Sequence, residues 1–213
     1  MNEELMINSE ELEAINSYHK FKDLGEECFY KKDYSCAATN IEKAIDALLY
    51  IVPGNIKFIL ENLSRRLLFL GLRNELRLQL GIAYRKKGQY YRALDIFEGL
   101  IQFTKDFYEL TLLGFKENLL GYYPIPRDKL VSKAWNEIGL IYKDLKLYDK
   151  ALNAFYKSTH MSLTKNPSSY HNPWLEIAFL QEQLGDFKSA KSAERKFKKT
   201  MKLILKRDKK RYR

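Results

Sequence analysis

Three histidines, two cysteines and a run of cations near the carboxyl end are the residues of this chain whose types could carry chemistry. His19, His160 and His171 have no metal-ligand spacing among themselves. His160 and His171 could meet in space, but a metal site would need carboxylate or cysteine support that their surroundings in the sequence do not offer. Cys28 and Cys36 are too few for a disulfide scaffold and wrongly spaced for a CxxC site, so they are expected as buried free thiols in neighbouring helices. Glu3-Glu4 and Glu26-Glu27 are adjacent pairs, which point from different faces of a helix and read as solvated charge. No Gly-rich phosphate loop, HExxH or GxSxG occurs. No residue is assigned to catalysis, and no cofactor, metal or small-molecule substrate is expected.

The cations remain. From Arg195 to Arg213 there are eleven Lys or Arg and one acid, Asp208, whereas residues 1–194 hold equal numbers of each sign. The net charge of +10 therefore belongs to the tail. Phe197, Met201, Ile204 and Leu205 draw an apolar stripe through it, which a helix capping the end of a stack would bury. Lys198, Lys199, Lys202, Lys206 and Arg207 are the candidate contacts to an anionic partner. Nucleic-acid phosphates are one such partner and an acidic membrane surface a less favoured one. Aromatic residues are too sparse here to suggest base stacking.

What would position these residues is helical. Leu, Lys, Glu and Ala are plentiful, Gly and Pro number ten and five, and no alternating β-branched run appears. Trp135, Ile138, Gly139 and Tyr142 fall at i, i+3, i+4 and i+7, one stripe of a helix with a small residue inside it. Nine residues after Gly139 comes Tyr148, twelve after it Ala151, and sixteen after it Phe155. Gly25 is followed in the same register by Tyr34 and Ala37, Gly81 by Tyr90 and Ala93, and Ala178 by Phe187 and Ala190. Each set reads as two antiparallel helices nesting through a small-residue notch, with Gly88 and Gly185 placed to close the first helix in two of them.

This pattern resembles the tetratricopeptide repeat family, whose helix–turn–helix signature is Trp, Leu-Gly, Tyr, Ala, Phe and Pro. The copy at 132–163 follows it with Ile138 in place of Leu and without the closing proline; Arg77 replaces Trp in the second copy, and Gln181 and Glu194 replace Tyr and Phe in the fourth. The resemblance implies an all-α solenoid of helical hairpins, of about eight to eleven helices. A single solenoid domain is expected over 17–205, with repeats near 18–51, 74–107, 132–165 and 171–205, an N-terminal extension at 1–16 and a basic tail at 206–213. The notches at 25, 81, 139 and 178 are further apart than the family's 34-residue period, so elongated or inserted helices are expected after the first two repeats. A Pro53-Gly54 breaker followed by a stripe at Ile56, Ile59, Leu63, Leu67 and Leu70 marks one insertion, and YYPIP at 122–126 reads as a loop.

The resemblance further implies a non-catalytic adaptor that holds a peptide or helix of a partner protein in a concave groove lined by the first helix of each hairpin. By register those positions are Lys22, Glu26 and Tyr30 in the first repeat, and Leu78, Gln79, Ile82 and Arg85 in the second. The third contributes Lys133, Asn136, Glu137, Leu140 and Lys143, and the fourth Leu175 and Phe179. The family's carboxylate clamp is not expected, because Glu26 and Glu137 would repel the ligand. The leucines, Ile82 and Phe179 suit an amphipathic helix better. The acidic amino terminus lacks the features of a secretory signal, and the longest apolar runs are too short to cross a bilayer, so a cytoplasmic protein is expected.

Overall fold

The computed structural model describes residues 9–51, 63–114, 127–162 and 173–211, which form eight α-helices and no strand. The Pro53-Gly54 breaker, Ile56, Ile59 and the YYPIP loop lie outside the described residues. Cα packing divides the chain into two units, Met1–Ile125 and Pro126–Arg213.

The first unit contains α1 (Ser9–Tyr30), α2 (Tyr34–Ile51), α3 (Leu63–Lys86) and α4 (Tyr90–Gly114), each packed on the next. The second contains α5 (Arg127–Asp144), α6 (Tyr148–Ser162), α7 (Pro173–Gln183) and α8 (Phe187–Arg211), packed in the same serial order. The expected elongation is visible in α3 and α4, which run for 24 and 25 residues.

The small-residue notches do what their spacing requires. A Cβ built on Gly81 would lie 2.4 Å from the Phe97 ring, and one on Gly139 would lie 2.7 Å from the Phe155 ring. Phe97, Phe155, Ala93 and Ala151 have no exposed surface. At Gly25 the facing atom is Cγ1 of Ile41, 3.0 Å from a Cβ built there. In the fourth hairpin Ala178 is buried with Ile177, Leu180 and Ala193. Helix backbones thus approach closely wherever glycine or alanine leaves room, and the large side chain sixteen residues on fills the space over three of the notches.

All four hairpin turns are built alike, seven residues after the notch. Lys32, Gly88, Lys146 and Gly185 have φ of 58, 74, 59 and 80°. At each, two backbone hydrogen bonds close the helix: Lys32 N donates to Phe29 O and Asp33 N to Cys28 O, and the other turns repeat the pair. This is the Schellman arrangement, in which a left-handed residue satisfies the last carbonyls of a helix. In two turns the next residue caps the following helix: Asp33 Oδ1 accepts from Cys36 N at 2.9 Å, and Asp186 Oδ1 from Ser189 N at 3.0 Å.

Cys28 and Cys36 are not free thiols; they form a disulfide across the α1–α2 hairpin, with Cα atoms 5.7 Å apart. Their separation of eight looked unremarkable along the chain, but the reversal at Lys32 brings the two helix ends within disulfide reach.

Candidate functional site

In three of the four hairpins, a contact between an aromatic ring and a cation ties the two helices at equivalent positions. The residue four before the notch presents a ring and the residue eighteen after it a lysine: Lys43 lies 5.2 Å from the centre of Phe21, Lys157 lies 4.2 Å from Trp135, and Lys196 lies 4.3 Å from Trp174. The second hairpin departs from this register: Arg77 occupies the aromatic position and Gly99 the lysine position, and the Arg77 guanidinium lies 6.0 Å from the ring of Phe103, one turn further along. Burial lowers the Arg77 pKa below the usual arginine value. Each contact is worth about 0.5–1 kcal/mol where water can reach it.

Successive hairpins within a unit are joined by a second recurring contact. The residue three after the notch bonds to the residue seventeen after the preceding notch. In the first unit the Tyr84 hydroxyl donates to Glu42, and burial, reinforced by this bond, raises the Tyr84 pKa. In the second unit Gln181 Nε2 donates to the Tyr156 hydroxyl at 2.8 Å. Gln181 departs from the repeat pattern, and Tyr156 supplies the phenol in its place.

With the hairpins fixed in this way, the first helices present the side chains assigned to the inner face. In the first unit Lys22 makes a 2.8 Å ion pair with Glu26 and lies 3.8 Å from Asp23. The Glu26 hydrogen bond raises the Lys22 pKa above its ordinary value. Glu26 and Tyr30 are exposed, and Gln79, Ile82 and Arg85 are half-buried. Leu78 is 5% exposed and faces the core.

In the second unit Lys143 of α5 reaches α7, where Nζ lies 2.7 Å from Glu176 Oε2 and 5.7 Å from the centre of the Phe179 ring. Leu175 and Phe179, one turn apart on α7, are 52% and 47% exposed. Leu140 is half-buried at the edge of the core containing Phe155 and Ile177. Lys133 is half-buried, whereas Asn136 and Glu137 are buried at 4% and 3% exposure. Register placed Leu78, Asn136 and Glu137 on the inner stripe, but in the folded units they are covered. The exposed apolar pair with a cation beside it is therefore Leu175, Phe179 and Lys143.

Of the anionic-partner candidates, Lys198, Lys199, Lys202 and Lys206 are exposed on α8. The side chain of Arg207 lies outside the described residues, as do those of His160 and His171; His19 is exposed on α1. Among the described residues no group of three His, Cys, Asp or Glu could hold a metal, and no helix is long and apolar enough to cross a membrane.

The tetratricopeptide repeat family model matches residues 132–162, the α5–α6 hairpin. No curated protein matches the chain. Similar solved structures include MamA 41-end from Desulfovibrio magneticus RS-1, at 15% identity over 90% of this chain and 97% of that one, with a TM-score of 0.31. BtubC (BKLC) from P. vanneervenii is 13% identical, covers 93% of each chain and has a TM-score of 0.34.

Proposed function

We propose that this chain, a tetratricopeptide repeat protein, works as a non-catalytic adaptor whose α5–α7 face holds a helix or peptide of a partner protein. The observation that carries this reading is the exposure of Leu175 and Phe179 one turn apart, with Lys143 anchored between Phe179 and Glu176. Apolar side chains at i and i+4 are the spacing at which an amphipathic helix presents its own anchors, so two such helices can interleave. Water-exposed leucine and phenylalanine on a helix whose other face is already packed lower the free energy by about 25 cal/mol for each Å² of apolar surface that a partner covers. The half-buried Lys143–Glu176 pair beside the apolar residues would orient a partner more than tighten its grip, because each charge already has its counter-ion within the unit.

The test is affinity purification of the tagged full chain from its native cells, in parallel with a Leu175→Glu/Phe179→Glu variant. A polypeptide retained by the unmodified chain and lost from the variant supports the reading, provided the variant keeps the helical circular dichroism of the parent. An unchanged set of retained polypeptides contradicts it.

A further inference from the structure

We propose that the outer face of α8 is a docking surface for the phosphate backbone of double-stranded nucleic acid, separate from the α5–α7 face. Lys188, Lys191, Arg195, Lys198, Lys202 and Lys206 are all exposed, and intervals of three or four residues keep them on one side of the helix. At about 100° per residue the six fall within an arc of about 80°. Ala190 and Ala193, buried against the rest of the unit, lie on the opposite side. From Phe187 to Lys206 the single acid is Glu194, which sits off the arc. None of the six makes an ion pair with a described carboxylate.

The helix is held in this orientation by its own hairpin. Lys196, off the arc, lies 4.3 Å from the Trp174 ring of α7, and the Asp186 cap fixes the start of α8. α7 has 11 residues and α8 has 25, so the ladder continues along a helix that outlasts its hairpin partner. At about 1.5 Å per residue it rises about 27 Å. A duplex presents one phosphate charge for about every 1.7 Å of its axis, so each rung has phosphates within reach of a lysine or arginine side chain.

The observations favour a duplex over the other polyanions. A helix that enters a lipid surface does so with its apolar face, and here Ala190 and Ala193 commit that face to the unit over the first turns of α8, with Phe197 and Met201 half-buried beyond them. Phe187 and Leu205 are exposed at 72% and 58%, but they border the ladder near its two ends with Glu194 between them. No row of aromatic side chains follows the cations, so single-stranded bases have nothing on which to stack. What the ladder offers is charge at regular spacing, which reads a backbone without reading sequence.

The test is fluorescence anisotropy of the full chain with a labelled 24-base-pair duplex. If four or five phosphates are neutralised, binding should weaken with a log–log salt slope of about −4, roughly a hundredfold or more between 50 and 200 mM salt. The variant Lys191→Glu/Lys198→Glu/Lys202→Glu should lose at least about tenfold more affinity than the equally charged control Lys32→Glu/Lys86→Glu/Lys129→Glu. A Lys→Gln version of the ladder variant, with helicity checked by circular dichroism, guards against misfolding and should show a smaller loss in the same direction. Equal binding by ladder and control variants overturns the proposal. So does a flat salt dependence, or binding to vesicles of phosphatidylcholine and phosphatidylserine with none to the duplex at 50 mM salt.

Discussion

A Cβ placed on Gly139 would stand 2.7 Å from Cδ1 of Phe155, closer than side chains in folded proteins approach. The α5–α6 hairpin therefore closes only because residue 139 has no side chain. Gly81 stands in the same relation to Phe97, at 2.4 Å, and Gly25 in a looser one to Ile41, at 3.0 Å.

Alanine substitution should consequently have graded effects on stability to urea. Overpacking a core costs about 1–3 kcal/mol, against about 1 kcal/mol that alanine gains over glycine in a helix. Gly81→Ala and Gly139→Ala should be net destabilising, by up to about 2 kcal/mol, and Gly25→Ala close to neutral. Gly99, in the interior of α4 with nothing within 4 Å of its would-be Cβ, should gain about 0.5–1 kcal/mol on substitution. Equal effects at Gly99 and Gly139 would contradict the nesting.

The turns offer the opposite experiment. Lys32 and Lys146 hold φ of 58 and 59°, a region that non-glycine residues occupy at a cost, while Gly88 and Gly185 fill the equivalent positions freely. Lys32→Gly and Lys146→Gly should each stabilise by about 0.5–1 kcal/mol, after allowing for the looser unfolded chain. Gly88→Ala and Gly185→Ala should destabilise by a similar amount. Thermal midpoints of the four variants check both signs.

The Asp186 cap should make the second unit sensitive to acid. The hydrogen bond from the Ser189 backbone holds the Asp186 carboxyl below its ordinary pKa. A carboxyl whose folded pKa is depressed contributes stability that is present above its unfolded pKa and lost as pH falls through the folded value. Carbon-detected NMR titration should find Asp186 titrating below a free aspartate. Asp186→Asn, which keeps an accepting oxygen, should remove that acid-dependent component. An unperturbed midpoint would argue against the cap.

Cys28 and Cys36 should give no free thiols in the unfolded chain until a reductant is added, and two afterwards. Closing so short a loop restrains the unfolded chain by about 2–3 kcal/mol, so a dithiol reductant should lower the unfolding midpoint of the first unit and leave that of a Cys28→Ser/Cys36→Ser variant unchanged. Two reactive thiols without reductant would contradict the pairing.

The notches were legible in the sequence because they rest on residue identity at fixed intervals: glycine or alanine, an aromatic nine later, alanine twelve later. Helical class followed from composition and the same register, and the wide spacing of the notches called for elongated or inserted helices, of which the long α3 and α4 are the elongated kind. Contacts that depend on what a neighbouring helix supplies were not legible. Nothing in the spacing singles out Lys43, Lys157 and Lys196, whose role depends on the rings that face them from the first helix. Gln181 looked like a loss of tyrosine, yet Tyr156 of the preceding helix restores the phenol. Leu78, Asn136 and Glu137 share the periodicity of the inner stripe, but periodicity names a face without saying what covers it. Lys32 and Lys146 carried no glycine to announce a left-handed turn, and the hairpin reversal that joins Cys28 to Cys36 is invisible in a separation of eight residues.

The adaptor reading is tested most directly by residue-resolved carbene footprinting of the chain, alone and with the polypeptide that copurifies with it. The account predicts protection at Leu175, Phe179 and Leu140, with Leu147 and Leu184, exposed at the turns, labelled equally in both states. Protection confined to the turn leucines, with Leu175 and Phe179 labelled as heavily in the complex as in the free chain, would contradict it.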